Sequence, residues 1–346
     1  MRCQAMTAFG QPLEDLERET PQPGPGEALV KITRAGLCHS DLHIHEGYFS
    51  LGGEAKQPVA VQFPCVLGHE IEGEVVSLGA GVSGPAPGTR VAVFPWIGCG
   101  QCAACKRGDQ HLCGPNRVLG VARWGGLADH VLVPDAEALI PIGDMAPGVG
   151  ALAMCSGLTA FSALKKIGKP RAEEPIVLVG MGGVGLAGLA LAKALFPNPI
   201  VAVDIDAAKR EAAVKRGAAE AIDPAGADAV KDFVKRTGGA VAAVDFVGAG
   251  DTYAFASGSI RRGGTVVVVG LFGGLANIPL ITLPLRAMTI AGSFVGSLDE
   301  ARELVALLKT GKVATPLMEE RPLSAANSAF EDLRAGKVVG RVVLKP

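Results

Sequence analysis

Hydrophobic positions along this chain change their rhythm near residue 150. Before it, short aliphatic runs recur between proline- and glycine-rich breaks. Ala28-Leu29-Val30-Lys31-Ile32, residues 71–76, Arg90-Val91-Ala92-Val93 and His130-Val131-Leu132-Val133 have the length and β-branched content of strands, while 21–26 and 79–88 read as loops. No helical period separates these runs, which predicts a curled or barrel-like β-rich unit. Beyond 151, strands at 176–180, 200–204, 241–247 and 264–270 alternate with helices at 184–195, 207–216 and 251–260. That alternation predicts a parallel sheet with helices on both faces. The tail adds a helix at 298–310 and a strand at 338–344 that is expected to pair with the first unit. The expected class is α/β: a discontinuous β-rich domain, 1–150 and 298–346, around a doubly wound parallel-sheet domain at 151–297.

One junction in the second unit carries chemistry. Ile176-Val177-Leu178-Val179 runs into Gly180-Met181-Gly182-Gly183-Val184-Gly185, and an alanine- and leucine-rich helix follows at once. In a G-x-G-x-x-G turn the first glycine permits the tight turn, the second lets backbone approach a pyrophosphate, and the third lets helix pack on strand. The next strand ends at Asp204, at the spacing of about 20 residues where an acidic group meets a ribose diol. A carboxylate there repels a 2′-phosphate, which predicts NAD over NADP. Lys209 and Arg210 sit on the following helix rather than beside Asp204.

Composition narrows the partners. The formal net charge of -1, with charged residues at 19%, gives no reason to expect nucleic acid or an anionic membrane as a partner. No apolar run reaches the ~18 residues of a membrane span, and Met1 to Met6 has no signal core, so the cytoplasm is the expected location. There, stable disulfides are disfavoured, and the 8 cysteines turn attention to metal.

Cys99, Cys102, Cys105 and Cys113 form C-x2-C-x2-C-x7-C within a lobe at about 95–115. Four thiolates so spaced can close a tetrahedron around zinc with no open position, a structural site. An iron–sulfur cluster ranks second, because no proline directly follows Cys113 and only one such run is present. His111 inside the lobe is expected to be an exposed side chain. A second constellation is Cys38-His39-Ser40-Asp41-Leu42-His43, with Gly68-His69-Glu70 and Cys155 farther on. Two cysteines and a histidine converging on one zinc would leave a fourth position for water or substrate. Spacing does not establish that convergence: alone, His69 suits a hydrogen-bonded structural role and Cys155 a buried apolar one.

Together and in this order, these motifs resemble the zinc-dependent medium-chain alcohol dehydrogenases over essentially the whole chain. The resemblance implies a GroES-like catalytic domain around a Rossmann domain, two zinc ions per chain, and NAD. It implies Cys38, His69 and Cys155 as catalytic zinc ligands, with Glu70 able to approach the metal and Asp41 holding the ligand histidine. Ser40 would hydrogen-bond the substrate oxygen and His43 would pass the proton to solvent. His39 and Arg341 would lie by the pyrophosphate and Thr159 by the nicotinamide. Gly180, Gly182, Gly183, Val184, Gly185, Asp204, Lys209, Val247, Gly270 and Phe272 would complete the cofactor site. Trp96 and Tyr48 are the implied pocket walls, and 49–63 is an unusually long loop at the substrate entrance. The implied reaction is reversible oxidation of an alcohol to an aldehyde or ketone by a homodimer or homotetramer, with the aliphatic stretch 278–290 as candidate interface.

Blander roles stand beside these. Ser40 or Asp41 suits a helix cap, and Trp96 a core position. His45 is expected at the surface, and Cys3 and Cys65 as ordinary thiols. Polyol and other zinc-dependent medium-chain dehydrogenases share the architecture, although many polyol enzymes carry glutamate where this chain has Cys155. A catalytically silent nucleotide-binding protein on the same fold is the rival from another class.

Overall fold

Ile176–Val179, four aliphatic residues without a polar break, are buried on both faces of a six-stranded parallel sheet in a computed structural model that describes residues 1–346. Alternate side chains serve two cores: Ile176 and Leu178 join the large core, while Val177 and Val179 pack with Phe233 and Phe255 on the other face. Sheet order is Glu220–Ile222, Ile200–Val203, Ile176–Val179, Ala240–Asp245, Ile260–Val268, Thr289–Gly292. The chain therefore starts in the middle, runs to one edge and crosses back, as in Rossmann folds. The switch between Ile176–Val179 and Ala240–Asp245 opens a crevice at the strands' carboxyl ends.

The first unit is a seven-stranded sheet ordered Met318–Pro322, Arg341–Lys345, Ala28–Leu37, Glu70–Leu78, Arg90–Val93, Leu139–Pro141, with His130–Val133 also paired to Ala28–Leu37. The carboxyl-terminal strand pairs antiparallel with residues 35–37 of the first unit's sheet. It starts at Arg341 rather than 338, because Gly340 turns the chain with φ 94° immediately before it. The large core runs through both units without interruption. Helix Leu298–Lys309 starts on a Ser297–Glu300 capping box and packs on helix Leu158–Lys165. Its Lys309 Nζ also reaches the Pro141 carbonyl at 2.6 Å, so the segment assigned from 298 to the first unit rests on the junction between the two.

Other expectations need correction. Residues 49–57 are a hairpin rather than a loop: Tyr48–Gly52 pairs with Ala55–Pro58 about a Gly52-Gly53 turn with φ of 97° and 59°. Helices His39–Glu46, Leu158–Lys165, Ala229–Thr237 and Ala326–Arg334 were not anticipated. His45 is buried, not at the surface; its Nε2 lies 2.7 Å from the Gln11 carbonyl and its ring faces Phe330. His111 is half-buried, with Nδ1 sealed from solvent. No helix is long and apolar enough to cross a membrane.

Candidate active site

The strand register brings the second constellation together. Gly36 lies opposite Glu70, so Cys38 and His69 emerge at the same end of one antiparallel pair. A Cβ on Gly36 would fall 2.0 Å from Glu70 Oε2; glycine there makes room for the carboxylate. Cys38 caps helix His39–Glu46, and Asp41 holds the arrangement from the helix's first turn. Asp41 Oδ2 accepts the Cys38 N–H at 3.0 Å, and Oδ1 accepts the Gly68 N–H at 3.1 Å. The same Oδ1 lies 3.3 Å from His69 Nδ1, so Asp41 caps the helix and orients the imidazole at once.

Cys155 arrives from the other direction, on a π-helical turn, Ala153–Gly157, within the helical run that joins the two units. Its Sγ is 3.9 Å from that of Cys38, and the donor atoms of Cys38, His69, Glu70 and Cys155 all lie within 4.8 Å of one another. The hydrogen bond from Cys155 and the contacts of His69 hold the Cys38 thiol well below its ordinary pKa despite burial. The same bond and burial push Cys155 well above its own. Burial alone would depress His69, but the charge and hydrogen bond of Asp41, aided by Cys38, lift it well above its usual value. Two buried thiols so close ionise together only around a cation.

The residues therefore fit a zinc ion. With Nδ1 held by Asp41, His69 Nε2 is buried and has no partner, a state that is costly unless something binds it. Two sulfurs and one imidazole nitrogen are a zinc donor set with one position left over. Glu70 stands behind it. Burial raises its carboxyl to about 7 against the pull of Arg341, whose guanidinium donates to Oε2 at 2.5 Å while Oε1 has no partner.

The other cysteine cluster closes on itself. Cys102 Sγ lies 3.5 Å from Cys105 and 3.8 Å from Cys113, and all four sulfurs fall within 4.8 Å. The N–H groups of Gln101 and Cys102 draw Cys99 down to about 6, favouring the thiolate a metal needs. The four sulfurs together fit a closed structural zinc site.

A cleft between the two units leads from the glycine turn to Cys38 and Cys155. On the first-unit side His39, Ser40, His43 and Trp96 line it; Thr159 and Arg341 border it near the junction. On the Rossmann side it meets Gly180, Gly182, Gly183, Val184, Gly185, Asp204 and Lys209, then Val247, Gly270 and Phe272. Asp41, His69 and Glu70 lie behind this surface, fully buried. Tyr48 does not line the cleft: it begins the hairpin, with Lys56 Nζ 3.7 Å over its ring. Trp96 is both buried and a wall, its Nε1 donating to the Met154 carbonyl at 3.0 Å.

Asp204 is fixed beside the glycine turn, accepting the Met181 N–H at 2.6 Å on Oδ2 and the Asp206 N–H at 2.9 Å on Oδ1. Arg210 is turned to the Asp204 carbonyl at 2.8 Å and to Asp223 at 3.0 Å, and is not a wall of the cleft. Arg341 lies against the first turn of helix Gly183–Leu195, where a Cβ on Gly183 would come 2.3 Å from its Cδ.

Sequence reasoning missed Ser293, Phe294 and Val295, which wall the cleft from the Rossmann side. It also missed Glu72, a buried carboxylate that accepts the N–H groups of Gly148 at 3.0 Å and Gly150 at 3.1 Å and pairs with Arg90 at 2.8 Å. A signal was present in Glu70-Ile71-Glu72: two acids two apart share a strand face, and here that face is buried. Glu72 anchors the start of the helical run carrying Cys155. Glu72→Gln leaves donors facing an amide, a loss of about 1–3 kcal/mol. A melting point lower by several degrees is expected; an unchanged thermal transition would show that the anchor is idle.

A dinucleotide crevice opening onto a three-donor zinc centre defines a class: a metal-assisted dehydrogenase. The comparisons agree. A family model described as "Alcohol dehydrogenase GroES-like domain" matches residues 24–144, and one described as "Zinc-binding dehydrogenase" matches 183–310. The chain is similar to an NAD-dependent alcohol dehydrogenase of Sulfurisphaera tokodaii, 33% identical over 350 residues covering 100% of both chains. It is likewise similar to an alcohol dehydrogenase of Geobacillus stearothermophilus, 36% identical over 348 residues, 100% of this chain and 99% of the other. The crystal structure of the alcohol dehydrogenase from the hyperthermophilic archaeon Aeropyrum pernix superposes with a TM-score of 0.88 at 28% identity, covering 100% of each chain. The chain belongs to the zinc-binding, GroES-like alcohol dehydrogenase family.

Proposed function

We propose that this chain reversibly oxidises an alcohol with an apolar side chain to its aldehyde or ketone, with NAD as hydride acceptor. The observation that carries this is the buried, unpartnered Nε2 of His69, a residue clustered with the Cys38 and Cys155 thiols just behind the wall of the dinucleotide cleft. Cys38, His69 and Cys155 would hold the zinc, whose Lewis acidity would lower the pKa of the substrate hydroxyl, and the cleft would hold NAD as the hydride acceptor. The chain's own residues bind, orient and move the proton. Ser40 and His43 lie one helical turn apart on one face of His39–Glu46, both on the cleft. Ser40 Oγ accepts the hydroxyl proton while giving up its own toward the partly exposed imidazole of His43, which releases a proton to solvent. Trp96 and the Rossmann-side residues around Phe294 give the side chain an apolar place.

His39 and Arg341 flank the pyrophosphate, Thr159 the nicotinamide, and Asp204 the adenosine ribose. Asp204 makes a 2′-phosphate unwelcome by several kcal/mol, so kcat/KM with NAD exceeds that with NADP by about two orders of magnitude. Following NADH absorbance over ethanol, butanol, benzyl alcohol and sorbitol with both cofactors tests the whole proposal. Preference for NADP, best turnover of sorbitol, or no turnover by zinc-loaded protein would each defeat it. The complete donor set speaks against a catalytically silent protein, and Cys155 at the third ligand position against a polyol enzyme.

The working form is a cytoplasmic homodimer or homotetramer. Thr289–Gly292 is an edge strand paired on one side only, and Leu280, Ile281 and Leu285 beside it are among the most exposed large apolar residues of the chain, features that a second copy would cover.

A further inference from the structure

Between the last Rossmann strand and helix Leu298–Lys309 runs a short bridge, residues 293–297, whose first three residues wall the cleft. It is held unusually firmly. Ser293 N–H donates to the Val268 carbonyl at 2.9 Å, and Ser297 begins the capping box. Gly296 is pressed into the junction, where a Cβ would lie 2.7 Å from Leu158 Cδ1 and 2.9 Å from Glu300 Oε2. In the middle stands Val295, buried, with φ 39°. A β-branched residue in the left-handed region is strained, and such strain persists only where the surroundings over-determine it.

The remaining restraint comes from outside the bridge. Lys166 closes helix Leu158–Lys165, and its ammonium donates to the Ser162 carbonyl at 3.3 Å, to Ser162 Oγ at 2.9 Å and to Ser293 Oγ at 3.0 Å. Three acceptors meet three N–H groups. No carboxylate lies within ion-pair distance of Lys166; its interaction is with the two buried serines. Next along the bridge, Phe294 is 46% exposed and meets Trp96 edge-on, ring centroids 5.7 Å apart at 70°. The two rings come from different units and meet in contact on the wall of the cleft.

We propose that Lys166 is a positioning residue for substrate selectivity: by clamping Ser293 to helix Leu158–Lys165 it holds Phe294 edge-on against Trp96 and so sets the shape of the apolar wall that the two rings form together. Lys166 touches neither substrate nor cofactor. Its removal frees the serine, lets Val295 relax its strained backbone and loosens the ring pair. The wall then distinguishes poorly between a side chain that packs on it and one too short to do so.

This rests on the alcohol oxidation proposed above, so the test has one arm in activity and one outside it. In the first, the ratio of kcat/KM for benzyl alcohol to that for ethanol is compared among variants. Lys166→Met should change that ratio by about threefold to tenfold, with Lys166→Arg, which still donates, retaining at least half of the wild-type value. In the second, acrylamide quenching of Trp96 is measured without substrate in a Trp124→Phe background, leaving one of the chain's 2 tryptophans. Quenching should rise with Lys166→Met and stay near the starting value with Lys166→Arg. Ser293→Ala removes the acceptor from the other side and should reproduce both effects if Lys166→Met does not fold. An unchanged selectivity ratio together with unchanged quenching would overturn the clamp. If wild type oxidises neither alcohol, the functional proposal fails and the quenching arm alone decides for or against the clamp.

Discussion

His69→Ala is expected to lower zinc from two ions per chain to one, since only one of the two donor clusters is touched, and to cut kcat/KM for alcohol oxidation by about three orders of magnitude or more. A bound metal contributes several kcal/mol of charge stabilisation at the reacting oxygen, and each 1.36 kcal/mol is about tenfold in rate. The neighbours do not replace the imidazole. Asp41 already serves the Cys38 and Gly68 N–H groups, and Glu70, held by Arg341 through Oε2, offers Cys38 and Cys155 only its Oε1 as a third donor, a carboxylate oxygen in place of the nitrogen. Atomic absorption on the purified variant reads the metal, and NADH absorbance reads the rate. Two zinc ions with wild-type turnover would end the assignment. The four-cysteine lobe serves as the internal control, because its sulfurs are held by residues 98–113 alone.

The two zinc centres also show what a sequence can disclose. The lobe was legible because its four donors lie within fifteen residues, so local spacing nearly determines their geometry. Cys38 and Cys155 are 117 residues apart, and only the pairing of Gly36 with Glu70 and the helical run through 149–165 bring their sulfurs together. Without the family resemblance, nothing in those segments announces one site. The Rossmann unit was legible for the opposite reason: the glycine spacing and the alternation of strands and helices both act over short distances. Failures followed the same logic. The hairpin Tyr48–Pro58 reads as a loop because its second strand, Ala55-Lys56-Gln57-Pro58, is wholly exposed and has no apolar alternation. Glu72 as an anchor and the contact of Lys166 with Ser293 each depend on a partner far along the chain, which spacing does not carry, and Tyr48 stays out of the cleft because the hairpin sets its ring under Lys56.

The glycine turn permits a sharper test, because the structure separates what its glycines do. A Cβ on Gly185 would lie 1.8 Å from the Gly180 carbonyl oxygen and 2.8 Å from its carbon. Helix Gly183–Leu195 packs on the strand end only because that atom is missing. Gly182 is different: nothing lies within 4 Å of a Cβ there, its φ is an ordinary -74°, and it faces the cleft. Only a bound pyrophosphate would meet the added methyl. Gly185→Ala is therefore expected to overpack the strand–helix contact at a cost of about 1–3 kcal/mol, lowering the melting point by several degrees. The same change tilts the first-turn N–H groups away from the phosphates and weakens NAD binding. Gly182→Ala should leave the melting point within about 1 °C, because no protein atom has to move, yet raise the KM for NAD by about tenfold or more. Differential scanning calorimetry and initial rates at varied NAD distinguish the two variants. A Gly182→Ala protein that melts as early as Gly185→Ala but binds NAD normally would mean that this turn supports the sheet and holds no phosphate.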